Sequence, residues 1–310
     1  MLNVLKTKPA GLERIEDLEP GSWIALVDPT DEEILRVHEA LGVPMEFLRS
    51  PLDPEEKSRI DIDENVVLVI VDMPVVVRTE EEQGYDTIPL GMVIHPDFFI
   101  TIALQPNPIL GEFERGTVRG FATFKKTRFL LQILKEIAGF YLRYLGRINR
   151  ETDKLERELR SSMRNAELFD LLTLEKALVY FTTSLRSNDA VLTKLLRTGA
   201  IKMYEEDEEL LEDVIVENRQ ALEMGQIYSN ILSSMMDAFA SVISNNLNMV
   251  MKLLTSITII LSFPTMVASF YGMNVALPLS TRPEAFWITV AIALVLSGSA
   301  AVLFWRKDFL

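Results

Sequence analysis

Two stretches without a single charged side chain, Leu253 to Thr281 and Ala285 to Trp305, close the chain and constrain its fold more than anything before them. Within them, the 19 residues Leu253–Tyr271 and the 20 residues Phe286–Trp305 match the roughly 20 needed for a helix to cross a ~30 Å hydrocarbon core. The competing reading is a helical hairpin buried in a large soluble core. Charge segregation argues against it. Lys plus Arg number 31 and Asp plus Glu 45, yet from Leu253 onward only Arg282, Glu284, Arg306, Lys307 and Asp308 are charged. That tail is net +1, so the part before it carries −15 of the chain's −14. Trp287 and Trp305 stand at the two ends of the second stretch as interfacial anchors, and Lys252, Arg306 and Lys307 flank the spans on one side. Both termini are therefore expected in the cytoplasm.

Met1 to Leu18 lacks the apolar core of a signal peptide, so the region before the spans is expected to stay inside the cell. The absence of cysteine excludes disulfides, thiolate ligands and cysteine nucleophiles. His38 and His95 are the only imidazoles, and neither has a partner at metal-site spacing, so both read as structural residues. No phosphate loop, zinc-protease helix or nucleophile elbow is present, which speaks against an enzyme. An acidic cytoplasmic region speaks against nucleic-acid binding.

Two textures divide the region before the spans. Short β-rich runs, Ser22 to Leu26, Val66 to Val77 and Ile94 to Ala103, alternate with a helical segment, Asp31 to Leu41. That segment is expected to have Asp31 at its cap, Glu32 and Glu33 in its first turn and Gly42 after its end. Together they describe a small α/β domain. Pro106, Pro108 and Gly111 then mark a loop or turn region. Beyond Lys125 the pattern is helical: Phe129 to Met163 and Ala166 to Leu196 read as an antiparallel pair, and a third helix starts near Tyr204. If it runs unbroken to Tyr271 it is a rod of roughly 100 Å. The expected segmentation is an α/β domain over 1–124, a helical hairpin completing it over 125–203, and a stalk over 204–252. A first span over 253–271, an external loop over 272–285, a second span over 286–305 and a basic tail over 306–310 follow.

Along the rod, Asn230, Ser234, Asp237, Ser241, Ser244, Asn248, Met251, Thr255, Thr258, Ser262, Thr265 and Ser269 recur at alternating spacings of four and three, and only Met251 is apolar. A strict 3.5-residue period keeps one seam facing a common axis in a bundle of supercoiled helices. A polar seam that continues through a membrane span points to an axis that holds water. The bland alternative is that these Ser and Thr residues only allow close packing or bond back to their own backbone. One hairpin cannot enclose a pore, so several copies are expected in a cyclic homo-oligomer. Asp237 then forms a ring of carboxylates, which favours cations, and Asn274 a ring of amide oxygens at the outer mouth. Neutral oxygens suit a hydrated Mg²⁺, an ion that dehydrates reluctantly.

The segment Asn248-Met249-Val250-Met251-Lys252-Leu253-Leu254-Thr255, followed by the span and by Tyr271-Gly272-Met273-Asn274, resembles the CorA family of magnesium transporters. Leu35 to Pro44 and Arg59-Ile60-Asp61 extend the likeness to the N-terminal region. The resemblance implies an α/β/α sandwich, a stalk helix and a two-helix transmembrane hairpin in a funnel-shaped homopentamer of the plasma membrane. It further implies that the first span lines the pore and that the second packs outside it. Gly272, Met273 and Asn274, with Tyr271, would bind hydrated Mg²⁺ at the outer mouth. Family members are closed by cytoplasmic Mg²⁺ that bridges acidic residues of neighbouring subunits. Asp213, in Leu211-Glu212-Asp213-Val214, matches the stalk carboxylate of that sensor, with Glu80, Glu81, Glu82 or Asp86 as candidate partners. The run Glu205 to Glu209 reads as a solvated helix start, since acids are favoured there.

Two departures from the family pattern stand out. The external loop lacks the Met-Pro-Glu-Leu sequence common after Gly-Met-Asn, and Arg282 offsets its only acid, Glu284. Thr258 and Ser262 replace apolar residues frequent at those seam positions, so a dewetting gate would rest on Met251 and Leu254. Zn²⁺, Co²⁺ and Ni²⁺ are the alternative cargoes within the superfamily, although a seam without His or Cys argues against a dehydrated Zn²⁺ site. A membrane-anchored scaffold without transport is the reading from a different class.

Overall fold

The computed structural model describes every residue except 10, 79–82, 163–164, 276–281, 308 and 310. The described chain forms two compact units, Met1–Ser234 and Met235–Leu310.

The first unit is built on a seven-stranded sheet of β1 (Leu2–Lys8), β2 (Gly11–Ile15), β3 (Trp23–Val27), β4 (Arg59–Asp63), β5 (Val66–Arg78), β6 (Gln83–Ile94) and β7 (Phe99–Ala103). The strand order is β2-β1-β3-β7-β6-β5-β4, antiparallel throughout except for the parallel pair β3 and β7. The central strands are apolar on both faces, as expected where both faces are covered. Alternation sorts their side chains. Ile24, Leu26, Leu68, Ile70, Ile100 and Ile102 point into one core, with α1 (Asp31–Leu41) and α2 (Met45–Arg49) over it. Trp23 and Phe99 point to the other face and meet Phe129 of the long helix α4 (Lys126–Ser162), with ring centroids 5.0 and 4.5 Å apart. The buried Trp23 Nε1 donates to Thr101 Oγ1 at 2.9 Å, so the indole keeps its hydrogen bond away from water. α5 (Asn165–Thr198) lies beside α4 on β5 and β6. The result is the expected α/β/α sandwich.

Several local expectations are corrected. Thr30, not Asp31, caps α1: its hydroxyl accepts from Glu33 N at 3.3 Å while Glu33 Oε2 accepts from Thr30 N at 3.0 Å, a reciprocal capping box. Asp31 is the first helical residue instead and pairs with Arg49 at 2.8 Å. The proline-rich stretch after β7 contains a helix, α3 (Pro108–Glu114). Asn107 caps it and Pro108 takes the first position, where a missing N–H costs nothing. The run Ile94 to Ala103 is two strands, because a turn closed by His95 N donating to Phe98 O at 3.0 Å separates the end of β6 from β7. Strands β1, β2, β4 and most of β6 gave no sequence signal, being polar on one face or broken by Gly84, Pro89 and Gly91.

β4 stops at Arg59, opposite Ile70. Two residues further along β5, the Asn188 amide of α5 takes the place of a neighbouring strand. Its Nδ2 donates to Asp72 O at 2.8 Å, and its Oδ1 accepts from Asp72 N at 2.9 Å and from Ser58 Oγ at 3.1 Å. Tyr141 Oη adds a second donor to Asp72 O at 3.1 Å.

The helix α6 (Glu205–Tyr271) runs unbroken through both units, with Pro264 inside it. In the first unit it packs on α4 and α5. Asn218 Nδ2 donates to Leu185 O at 3.0 Å, Arg219 pairs with Asp189 at 2.8 Å, and Gly225 lies against Thr182 and Leu145. The second unit consists of the rest of α6 and α7 (Ala285–Arg306). Both are long and apolar enough to cross a membrane.

Candidate functional site

The second unit presents α6 with two distinct faces. One is covered by α7: Ser256 is buried, Ile260 O accepts from Ser297 Oγ at 3.3 Å, and Pro264, Val267 and Tyr271 line a groove with Ala285, Phe286, Thr289, Val290 and Ala293. The C-terminal end closes on the same side, where Ser256 Oγ lies 3.4 Å from Phe309 O and Lys252 Nζ sits over the Phe309 ring at 5.3 Å. At 3.6 residues per turn the heptad seam lies on the opposite side of the helix. All twelve seam positions, from Asn230 and Ser234 through Asp237, Ser241, Ser244, Asn248, Met251, Thr255, Thr258, Ser262 and Thr265 to Ser269, are exposed, as is Leu254. The hydroxyls of this face also bond to their own helix: Thr258 donates to Leu254 O at 2.8 Å, Ser262 to Ile259 O at 2.7 Å and Thr265 to Leu261 O at 3.1 Å. Each hydroxyl that donates in this way can still accept a hydrogen bond, so self-bonding and a wet axis are compatible.

Gly272, Met273 and Asn274 follow the last residue of α6 in a tight turn. Gly272 N donates to Ala268 O at 2.9 Å and Met273 N to Phe270 O at 3.3 Å, and all three residues are exposed. A Cβ on Gly272 would press on the Ala268 carbonyl at 3.3 Å. Tyr271 is half-buried towards α7 rather than on the open face.

The candidate regulatory carboxylates lie in the first unit. Asp213 is on α6 with 69% of its side chain exposed, and its Oδ2 is 3.7 Å from Lys135 Nζ of α4; Glu217 lies 3.8 Å from the same ammonium. Asp86, on β6, is half-buried and accepts from Thr87 N at 2.8 Å. Glu80, Glu81 and Glu82 lie outside the described residues. Among the described residues no three His, Cys, Asp or Glu side chains converge on a point where a metal ion would fit. The acidic start of α6 is engaged locally: Asp207 is buried and accepts from Tyr204 N at 3.3 Å, and Glu206 pairs with Arg128 at 3.0 Å. Both imidazoles are structural, His38 Nδ1 bonding Val43 O at 2.7 Å and His95 Nδ1 accepting from Asp97 N at 3.1 Å.

Sequence reasoning passed over two partners. Lys135 had no signal, because it meets Asp213 only once α4 packs on α6. Ser297 had one: a hydroxyl in the uncharged second stretch, facing a first stretch that contains a proline.

Comparison with known proteins gives a consistent result. A family described as "CorA-like Mg2+ transporter protein" matches residues 20–307. The cobalt/magnesium transport protein CorA of Methanocaldococcus jannaschii is 31% identical over 293 residues, covering 93% of this chain and 91% of that protein. The protein of the same name from Thermotoga maritima is 24% identical over 305 residues, covering 95% and 85%. In three dimensions, the complete structure of the CorA magnesium transporter from M. jannaschii superposes with a TM-score of 0.87 at 28% identity, covering 100% of this chain and 99% of that one.

Proposed function

From the premise that the chain belongs to the CorA family of transport proteins, we propose that it conducts Mg²⁺ across the cell membrane along the axis of a homopentamer. The relatives named as cobalt/magnesium transporters support both ions as cargo. The observation that carries the reading is the division of α6: the face opposite α7 carries Thr255, Thr258, Ser262, Thr265 and Ser269, all exposed and at heptad spacing, and the same spacing continues back along the helix to Asn230 with Met251 its one apolar position. A lipid-facing helix surface has no use for such a stripe, since each polar group there forgoes water. Five copies turning that stripe inward would wet it.

In this arrangement Asp237 draws cations to the inner mouth, and Asn274 holds the hydrated ion at the outer mouth. Met251 and Leu254 are the apolar side chains at the level of the Lys252 base, where a closed pore dewets. Both termini lie in the cytoplasm, with Lys252, Arg306 and Lys307 at that surface. Asp213 serves as the cytoplasmic Mg²⁺ sensor with an acidic residue of a neighbouring subunit. Its ion pair with Lys135 is exposed and therefore weak, so a divalent cation at millimolar concentration competes with it readily.

The test is influx of Mg²⁺ into liposomes that contain the full chain and a Mg²⁺-sensitive dye, under a clamped membrane potential. Asn274→Ala is expected to reduce influx tenfold or more. Unchanged influx would overturn the reading and leave a membrane-anchored scaffold. Co²⁺, Ni²⁺ and Zn²⁺ competitors in the same assay rank the alternative cargoes.

A further inference from the structure

Pro264 has no amide hydrogen, so the carbonyl of Ile260, four residues earlier in α6, lacks the rung that residue 264 would otherwise donate. In a bilayer an unpaired carbonyl has no water to turn to, and the hydroxyl of a neighbouring helix is one of the few remedies. Ser297 Oγ of α7 donates to this carbonyl at 3.3 Å. The other hydroxyls with described bonds in the two spans behave differently. Thr258, Ser262, Thr265, Thr289 and Ser299 donate to carbonyls three or four residues back in their own helix. Ser256 does the same at 2.8 Å and only grazes the C-terminal segment at 3.4 Å. Ser297 alone among them directs its one proton across to the partner helix, and it does so at the carbonyl that the proline leaves open.

We propose that Ser297 is a positioning residue for ion transport, holding the opened rung at Pro264 and thereby fixing the course of the polar face of α6 on either side of it. Ser262 and Thr265 flank Pro264 on that opposite face, so a change of bend at the rung displaces their hydroxyls directly. A helix with a missing rung bends where the rung is missing, and here a single donor from α7 decides how far. The inference rests on the reading that this face lines the ion path.

The test is a double-mutant cycle of Ser297→Ala and Pro264→Ala in the full chain reconstituted in liposomes, read by Mg²⁺ influx and by thermal unfolding. Ser297→Ala in the native background is expected to change influx roughly three- to tenfold and to lower the melting temperature. In the Pro264→Ala background the new amide at position 264 takes the Ile260 carbonyl, so Ser297→Ala should have little further effect on either readout. Ser297→Thr keeps a donor and should restore influx. Equal effects of Ser297→Ala in both backgrounds would overturn the proposal, because a group that merely fills space does not depend on Pro264. So would coupling confined to thermal unfolding, which would leave a bond without a role in transport. Asn274→Ala, run in parallel, separates the two levels: its failure to reduce influx sinks the pore reading, while the thermal arm of the cycle still reports on the bond itself.

Discussion

Asp72 shows how one side chain ties stability to pH in this protein. It lies between the sheet and α5, where burial raises its pKa above the ordinary carboxylate range, although the hydroxyls of Ser184 and Ser58 pull it down. With a folded pKa above the unfolded one, the native state binds the proton more tightly. The resulting stability is complete below the unfolded pKa and is lost as pH rises through the folded one. Asp72→Asn keeps a polar group for the two hydroxyls and cannot ionise. It is expected to flatten the fall in stability that sets in as pH rises above the ordinary carboxylate range, as measured by denaturant unfolding from acidic to neutral pH. An unchanged slope would remove Asp72 as its source. At this scale the sequence was informative where a pattern is periodic or a motif is contiguous: the seam positions and Gly272-Met273-Asn274 could be named from it, and all of them are exposed. It was silent on Asp72, Asn188 and Lys135, whose roles depend on what other elements bring to them.

Among the elements, α6 was legible nearly to its ends, because 67 residues of helix-compatible pattern leave no alternative. Helix α3 was not, since Pro108 reads as a breaker until Asn107 is seen to cap it. The meeting of α6 with α4 and α5 turns on Gly225, where a Cβ would stand 2.8 Å from Thr182 Cγ2 and 3.7 Å from Leu145 Cδ2. An alanine in place of a mid-helix glycine ordinarily gains about 1 kcal/mol. Here the contact with Thr182 should cancel that gain, and Gly225→Val should destabilise by about 1–3 kcal/mol through overpacking. Denaturant unfolding of the full chain decides between these, and a stabilised Gly225→Val protein would refute the close approach.

For the whole molecule, in the homopentamer proposed above, the excess of acid over base before Leu253 gives the subunits a standing reason to repel one another. If Asp213 and an acid of a neighbouring subunit hold Mg²⁺ between them, the cation offsets that repulsion and stabilises the assembly by mass action. Millimolar Mg²⁺ is then expected to raise the melting temperature of the native protein by several degrees. Asp213→Lys should abolish the shift while leaving the metal-free melting temperature nearly unchanged. A Mg²⁺-dependent shift that survives Asp213→Lys would place the sensor elsewhere.

The sequence alone determined which segments are long and apolar enough to cross a membrane, which face of the first of them is polar, and which family the chain resembles. Each of these depends on hydropathy, spacing or a short motif along one stretch of chain. The tertiary structure decided what sits opposite that polar face, which hydroxyl reaches the carbonyl opened by Pro264, which cation lies beside Asp213 within the chain, and how β5 is satisfied beyond the end of β4. Those facts depend on residues far apart in sequence, such as Ile260 with Ser297, Lys135 with Asp213 and Asp72 with Asn188. A hydrogen bond or ion pair acts over about 3–4 Å, and only folding brings such partners within that reach.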